Sequence, residues 1–336
     1  MTRLLPVDPI APDAEVVDEA ARVLRAGGLV GLPTETVYGL AACALDPAAV
    51  ARIFAAKGRP SNHPLIAHVL GEDAAQRLAA TWPDTAHRLA AAFWPGPLTI
   101  VVDRARGTPP AVSGGGDSIA IRAPSHAVAR AVLRALGQPI AAPSANRFQG
   151  LSPTTADHVL REIGTGVDVI LDAGPCAAGI ESTVVDARTT RPRLLRPGAL
   201  DLPHLRTVVP DIERADEAYR GAEERPSPGM QARHYAPRAR VHIAPDRPEA
   251  QRIADELVHQ GTRAGLLVLG PMSSRSSDLL SIRCLAHDPV TYAHDLFSTL
   301  RELDEARIDV IVVEAVPQDD AWLAVADRLR RAACPA

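Results

Sequence analysis

Lys57 is the only lysine in a chain whose Lys and Arg residues together number 36. Arg stands at every other basic position, so a retained Lys marks a place where a compact ammonium fits and a wide planar guanidinium does not. Chance retention is the plain alternative. Lys57 and Arg59 leave a helix and enter a proline-bounded loop, KGRPSNHPLIAHV (57–69), with one glycine between them. Both can converge on one anion, and a triphosphate needs such cations. A solvated charge pair at a helix C-terminus, where cations are favoured anyway, is the competing reading. His63 and His68 lie five apart in the same stretch. That is not a metal-ligand spacing, and His68 reads as a hydrogen-bonding residue.

Other polar clusters interrupt the first half of the chain. PTETVYGL (33–40) puts the hydroxyls of Thr34, Thr36 and Tyr38 after an apolar run, for a ligand or for a turn that bonds its own backbone. SGGGDSIAIRAP (113–124) has three glycines whose amides can turn inward as an anion nest, followed by an apolar strand that begins at Ser118 and ends in Arg122. It is neither a Walker loop nor a GxGxxG fingerprint. A charge such as Arg122 at the end of an apolar strand requires a partner. That partner is either a ligand carboxylate held bidentately or an internal acid. PIAAPSANRFQGLSPTTADHV (139–159) carries Ser144, Asn146 and Ser152. Asn146 is one of only two asparagines, and Ser152 is placed to cap a helix N-terminus. GIESTVVD (179–186) brings Ser182, and LLRPG (194–198) brings Arg196. Clustered cations and hydroxyls, a Gly-rich turn and one Arg fit for a carboxylate suit ATP-dependent activation of a small acid. A Ser-His-Asp set, a metal-ligand cluster and an adjacent acid pair are not seen in the sequence pattern.

These clusters must sit at the ends of strands and helices, where open α/β sheets build sites. Periodicity and punctuation predict helices over 14–26, 47–57, 73–82, 84–94, 126–137 and 152–164. Strands are expected at 29–33, 64–69, 98–103, 118–124, 138–145, 168–174, 182–187 and 193–198. Residues 1–206 therefore read as one α/β domain of mixed strand order. A charged, proline-bearing linker follows over 207–239, and 240–336 resumes a strand–helix rhythm fit for a small parallel sheet. The length of 336 residues accommodates two domains. A formal charge of −4 does not indicate a basic nucleic-acid surface. Cys43, Cys176, Cys284 and Cys334 lie far apart, without zinc or redox spacing, which fits free thiols in a reducing cytoplasm. The N-terminal MTRLLPVDPIAPDAE has no apolar stretch of signal-peptide length, and no run of about 18 apolar residues predicts a membrane span.

The ordered set PTETVYGL, KGRP, HPLIAHV, WPGPLT, SIAIRAP, APSANRFQGLSPT, GIESTVVD and LLRPG resembles the YrdC-like family. SPGMQARHYAPRA (227–239) resembles the junction in its long-form members, which carry an extra C-terminal domain. The resemblance implies a twisted mixed-sheet domain with a concave positive cavity, a linker covering the active site, and a small Rossmann-like α/β C-terminal domain. It implies threonylcarbamoyl-AMP synthesis from L-threonine, bicarbonate and ATP, with Mg²⁺ on the triphosphate and pyrophosphate released. The product would pass to a separate threonylcarbamoyl transferase complex that modifies the adenosine beside the tRNA anticodon, so tRNA binding by this chain would be weak or indirect. Lys57, Arg59, Ser144 and Asn146 match the family's catalytic pairs. Arg59, His63, Ser118, Ser144, Ser152, Arg196 and Tyr235 would contact ATP. Thr36, His68, Arg122, Ala142 through its backbone, and Ser182 would contact threonine. A double-stranded RNA-binding module, holding duplex RNA by shape, is the alternative from another class. Carbamoyl transfer in hydrogenase maturation is a further one, but the zinc-finger-like cysteine pairs of those larger enzymes are not in this sequence.

Overall fold

A computed structural model describes residues 2–215, 233–273 and 276–335. Two compact units divide the chain: Met1–Phe148 with Ser152–Met230, and Gln149–Leu151 with Gln231–Ala336. Residues 216–232, the middle of the expected linker, lie outside the described residues.

The first unit is a mixed α/β sheet. Its strands are β1 (Arg3–Pro6), β2 (Val30–Leu32), β3 (Gly39–Cys43), β4 (Ile66–His68), β5 (Leu98–Asp103), β6 (Ser118–Arg122), β7 (Ile140–Ala141), β8 (Val169–Asp172), β9 (Thr183–Asp186), β10 (Arg193–Arg196) and β11 (Glu213–Arg214). They lie in the order β1-β8-β2-β3-β7-β4-β6-β5-β9-β10-β11. β6 sits parallel to β4 and antiparallel to β5, while β5 runs parallel to β9.

Helices cover this sheet with their apolar stripes. Val17, Ala20, Ala21 and Leu24 are the buried positions of the helix Ala14–Arg25, at the spacing of one helical face. The helix Pro47–Lys57 begins where Asp46 accepts hydrogen bonds from the amides of Ala48 and Ala49, and it ends on Gly58 at φ 62°. Ala49, Val50, Ile53, Phe54 and Lys57 are its buried positions. Lys57 falls four after Ile53 and three after Phe54, so it points inward with them.

Several sequence expectations are corrected. The helix expected from 152 starts at Ala156, because Thr155 rather than Ser152 accepts from the His158 amide as N-cap. Pro153 and the extended backbone before it delay the turn. The helix expected over 73–82 is only Glu72–Gln76. The strand expected over 138–145 is reduced to Ile140–Ala141, since Pro139 and Pro143 bracket it and supply no amide to a ladder. β3 was not foreseen, as its GLAAC sequence lacks β-branched residues.

The second unit holds β12 (Arg240–Ala244), β13 (Ala264–Leu269), β14 (Leu280–Leu285) and β15 (Val310–Glu314), all parallel, in the order β12-β15-β13-β14. The last strand inserts between the first two. β13 is buried at every position, as the centre of a parallel sheet requires. β14 was missed in the sequence because its SIRC run breaks the apolar pattern.

Candidate active site

Five neighbouring strands, β4, β6, β5, β9 and β10, set the site in bands. Residues paired across a sheet point to the same face, and so do residues two apart along a strand. His68 of β4 is in register with Arg122 of β6, and Arg122 with Thr99 of β5. Thr99 is in register with Val184 of β9, and Val184 with Arg196 of β10. Two residues along, Ile66, Ala120 and Val101 form an apolar band. Two further along, Ser118 stands beside Asp103. Ser118 and Arg122 thus mark opposite ends of one strand face, about 13 Å apart at ~3.3 Å per residue.

Arg122 is 3 % exposed and its guanidinium is engaged on every nitrogen. Nε donates to the Gly96 carbonyl at 3.3 Å, NH1 donates to Thr36 Oγ1 at 2.8 Å, and NH2 lies 2.7 Å from Glu35 Oε1. Thr36 is held from its other side by Thr34 Oγ1 at 2.9 Å. The internal acid and the ligand carboxylate were both open readings for Arg122 in the sequence; in the structure its acid partner is Glu35. Burial raises the pKa of Glu35, while Arg122 outweighs this and holds it below the usual carboxylate range. His68 is driven down to about 3 by burial, with Arg122 adding to it, so its ring is neutral. Its Nδ1 faces the Ile66 carbonyl at 3.3 Å, where only a donor is useful. That leaves Nε2 as an acceptor.

Thr99 Oγ1 and Ser182 Oγ are 2.8 Å apart. Arg196 donates to Ser182 through both its carbonyl (Nε at 3.1 Å, NH2 at 2.9 Å) and its hydroxyl (NH2 at 3.1 Å). This close approach depends on Gly198, because a Cβ there would lie 2.4 Å from the Ser182 carbonyl carbon. Ser152 Oγ donates to Glu181 Oε1, beside Ser182 in the chain, and this explains why it does not cap the next helix.

A second corner is built around Lys57. Its buried Nζ donates to the carbonyls of both Ser144 and Asn146. Burial, then Arg59, lowers its pKa well below the ordinary lysine value. Arg59 NH2 donates to the Pro64 carbonyl at 3.0 Å. The Ser144 loop is laced to the PTETVY loop: Gly39 bridges to Ser144, and the Ala145 amide donates to the Tyr38 carbonyl at 2.9 Å. The Ala142 amide is taken by the Ile66 carbonyl. His63 packs edge-on against Phe148, and the neighbouring Gly114, at φ 65°, lies too close to the Asn62 carbonyl to admit a side chain. Tyr235 belongs to the second unit, where Arg328 stands 4.8 Å over its ring and Phe297 packs beside it.

The Arg122 corner brings together Thr36, His68, Ser182 and Arg196, and the Lys57 corner brings together Arg59, Ser144 and Asn146, while Ser118 stands at the far end of β6 and Tyr235 in the second unit. Sequence reasoning passed over Glu35, Glu181 and Thr99. All three lay inside quoted motifs, and the signal for Glu35 was the unanswered demand of Arg122 for a partner. Among the described residues no group of three or more His, Cys, Asp or Glu could hold a metal ion. Two cavities of the first unit, ≈ 930 and ≈ 390 Å³, are lined by other residues.

Comparison with known proteins shows the family and the fold. A family model described as telomere recombination matches residues 22–198, and one described as the threonylcarbamoyl-AMP synthase C-terminal domain matches 201–334. The threonylcarbamoyl-AMP synthase of Pyrococcus abyssi is 41 % identical over 93 % of this chain and 92 % of its own length. That of Bacillus subtilis is 37 % identical over 97 % and 95 %. The crystal structure of P. abyssi Sua5 complexed with L-threonine superposes with a TM-score of 0.91 at 37 % identity, covering 99 % of this chain and 97 % of that one.

Proposed function

The chain belongs to the threonylcarbamoyl-AMP synthase family, in its long form, and from that premise we propose that the His68–Arg122–Thr99 end of the sheet face receives L-threonine while the Lys57 corner and the Ser118 end receive ATP. The reaction joins L-threonine, bicarbonate and ATP into threonylcarbamoyl-AMP and releases pyrophosphate. The observation that carries the placement is the register of His68, Arg122 and Thr99 in one row, with Ser118 at the far end of the same strand face.

In this reading Arg122 takes the threonine carboxylate. Thr36 or Ser182, with neutral His68 as acceptor, reads the threonine hydroxyl, and the Ala142 carbonyl adds a backbone contact. The carbamate formed from the amine and bicarbonate is already anionic, so its attack on the α-phosphate needs no strong base. Catalysis of that step is positioning and charge stabilisation. Arg59 and Arg196 offset phosphate charge, with Ser118, Ser144, Ser152 and His63 at the nucleotide. Lys57 holds the Ser144 and Asn146 carbonyls and so aims both side chains. The ATP contact of Tyr235 rests on the family resemblance. Mg²⁺ arrives on the triphosphate, held mainly by phosphate oxygens and water. The product leaves for a separate tRNA-modifying transferase in the cytoplasm. Among the described residues no helix is long and apolar enough to cross a membrane.

Pyrophosphate release by the purified protein tests this. Release that requires both threonine and bicarbonate, and drops sharply with serine in place of threonine, is expected. Release independent of threonine would overturn the substrate assignment. EDTA is expected to abolish release without shifting the melting temperature, since the metal belongs to the nucleotide.

A further inference from the structure

Glu35 is a buried charge that the reaction as written does not use. Its carboxylate is 2.7 Å from Arg122 NH2, with side chains 14 % and 4 % exposed. Among the described residues no other side chain hydrogen-bonds to it; the Glu35 and Ser125 amides face it. A ligand that offers only a carboxylate to Arg122 therefore meets an anion already there, and two anions at one buried cation repel. Threonine is not such a ligand. It is a zwitterion, with its ammonium one carbon from its carboxylate. A buried ion pair is the complement of that arrangement: opened by the ligand, one pair becomes two.

We propose that threonine inserts into the Arg122–Glu35 ion pair, its carboxylate going to Arg122 and its α-ammonium to Glu35, so that Glu35 selects α-amino acids and receives the proton the ammonium must lose. The inference rests on the assignment of Arg122 to the threonine carboxylate. The proton passes from nitrogen to a Glu35 oxygen, and the freed lone pair forms the C–N bond with bicarbonate carbon. The C–OH bond breaks, and the departing hydroxide takes the second amine proton as water. Carbamate, water and protonated Glu35 result, and Glu35 returns its proton to solvent. Glu35 suits this task once threonine is bound, because the Arg122 charge that lowers its basicity is then shared with the substrate.

The test is calorimetric binding of L-threonine and of 3-hydroxybutyrate, which is threonine without its amino group, to the full-length wild type, Glu35→Gln and Arg122→Ala. Glu35→Gln is expected to weaken threonine about 10- to 100-fold, the loss of one charge-assisted contact. The same variant is expected to bind 3-hydroxybutyrate more tightly than wild type does, because Arg122 is released. Both ligands weakening together would overturn the proposal and make Glu35 a mere support for Arg122. Both tightening together would equally overturn it and make Glu35 only a competitor. Arg122→Ala binding threonine like wild type would instead overturn the pocket assignment itself. Should Glu35→Gln fail to fold, Glu35→Ala leaves Arg122 equally unopposed and must give the same opposite signs.

Discussion

Lys57 shows how one side chain can be fixed by shape rather than charge. Its Nζ fits between two carbonyls of the 144–146 loop, in a space reached from the inner face of a helix. Lys57→Arg keeps the charge but adds a planar fork. It is expected to lower kcat for pyrophosphate release about 100-fold, the usual penalty for shifting catalytic groups by an ångström or so. A fully active variant would return Lys57 to chance retention. His68 makes a different prediction. Its folded pKa, about 3, lies below the unfolded value of 6.5. The unfolded chain therefore binds a proton at His68 that the folded chain refuses. Its contribution to stability is complete above pH 6.5 and is lost as pH falls towards 3. Unfolding free energies from denaturant titration of wild type should decline from pH 6.5 to 5, on the order of 1 kcal/mol per unit, and His68→Asn should flatten that limb. Equal slopes in the two proteins would count against a buried neutral ring.

Elements decide which neighbouring hydroxyl does what. Thr155 caps the helix Ala156–Ile163, while Ser152 donates to Glu181. Thr155→Ala is expected to lower unfolding free energy by about 1 kcal/mol and leave KM for ATP unchanged. Ser152→Ala is expected to raise KM for ATP with little change in denaturant midpoint. The reverse pattern would restore the sequence assignment of Ser152 as the cap. Much of this level was legible in the sequence. Long periodic helices such as Ala14–Arg25 and strands such as LTIVVD carry their own signals. GLAAC and SIRC do not, because their strand state comes from neighbours in the sheet rather than from side-chain preference. The candidate site could be assembled from the sequence as a set of residues, since strand ends expose polar side chains. Its pairings could not. Whether Arg122 met Glu35, or Ser152 met Glu181, depends on register and loop lacing that no local pattern states.

The burial of the candidate site's cations weighs against duplex RNA as the ligand of that site. Lys57, Arg59, Arg122 and Arg196 are between 3 % and 9 % exposed, whereas phosphate backbones are neutralised by exposed Lys and Arg. In the proposed reading these cations meet a ligand small enough to enter. The solitary lysine has one more consequence, in acylation chemistry. Threonylcarbamoyl-AMP is a mixed anhydride, an electrophile that primary amines attack and guanidinium, which stays protonated, does not. Apart from the α-amino group, the chain's single primary amine is sealed at 3 % exposure. Such a protein makes a reactive acyl donor while offering it no side-chain amine. An N-hydroxysuccinimide ester should accordingly leave Lys57 unmodified in the native protein and label it on denaturation, and peptide mass mapping would show labelling of the native protein if the lysine were reachable.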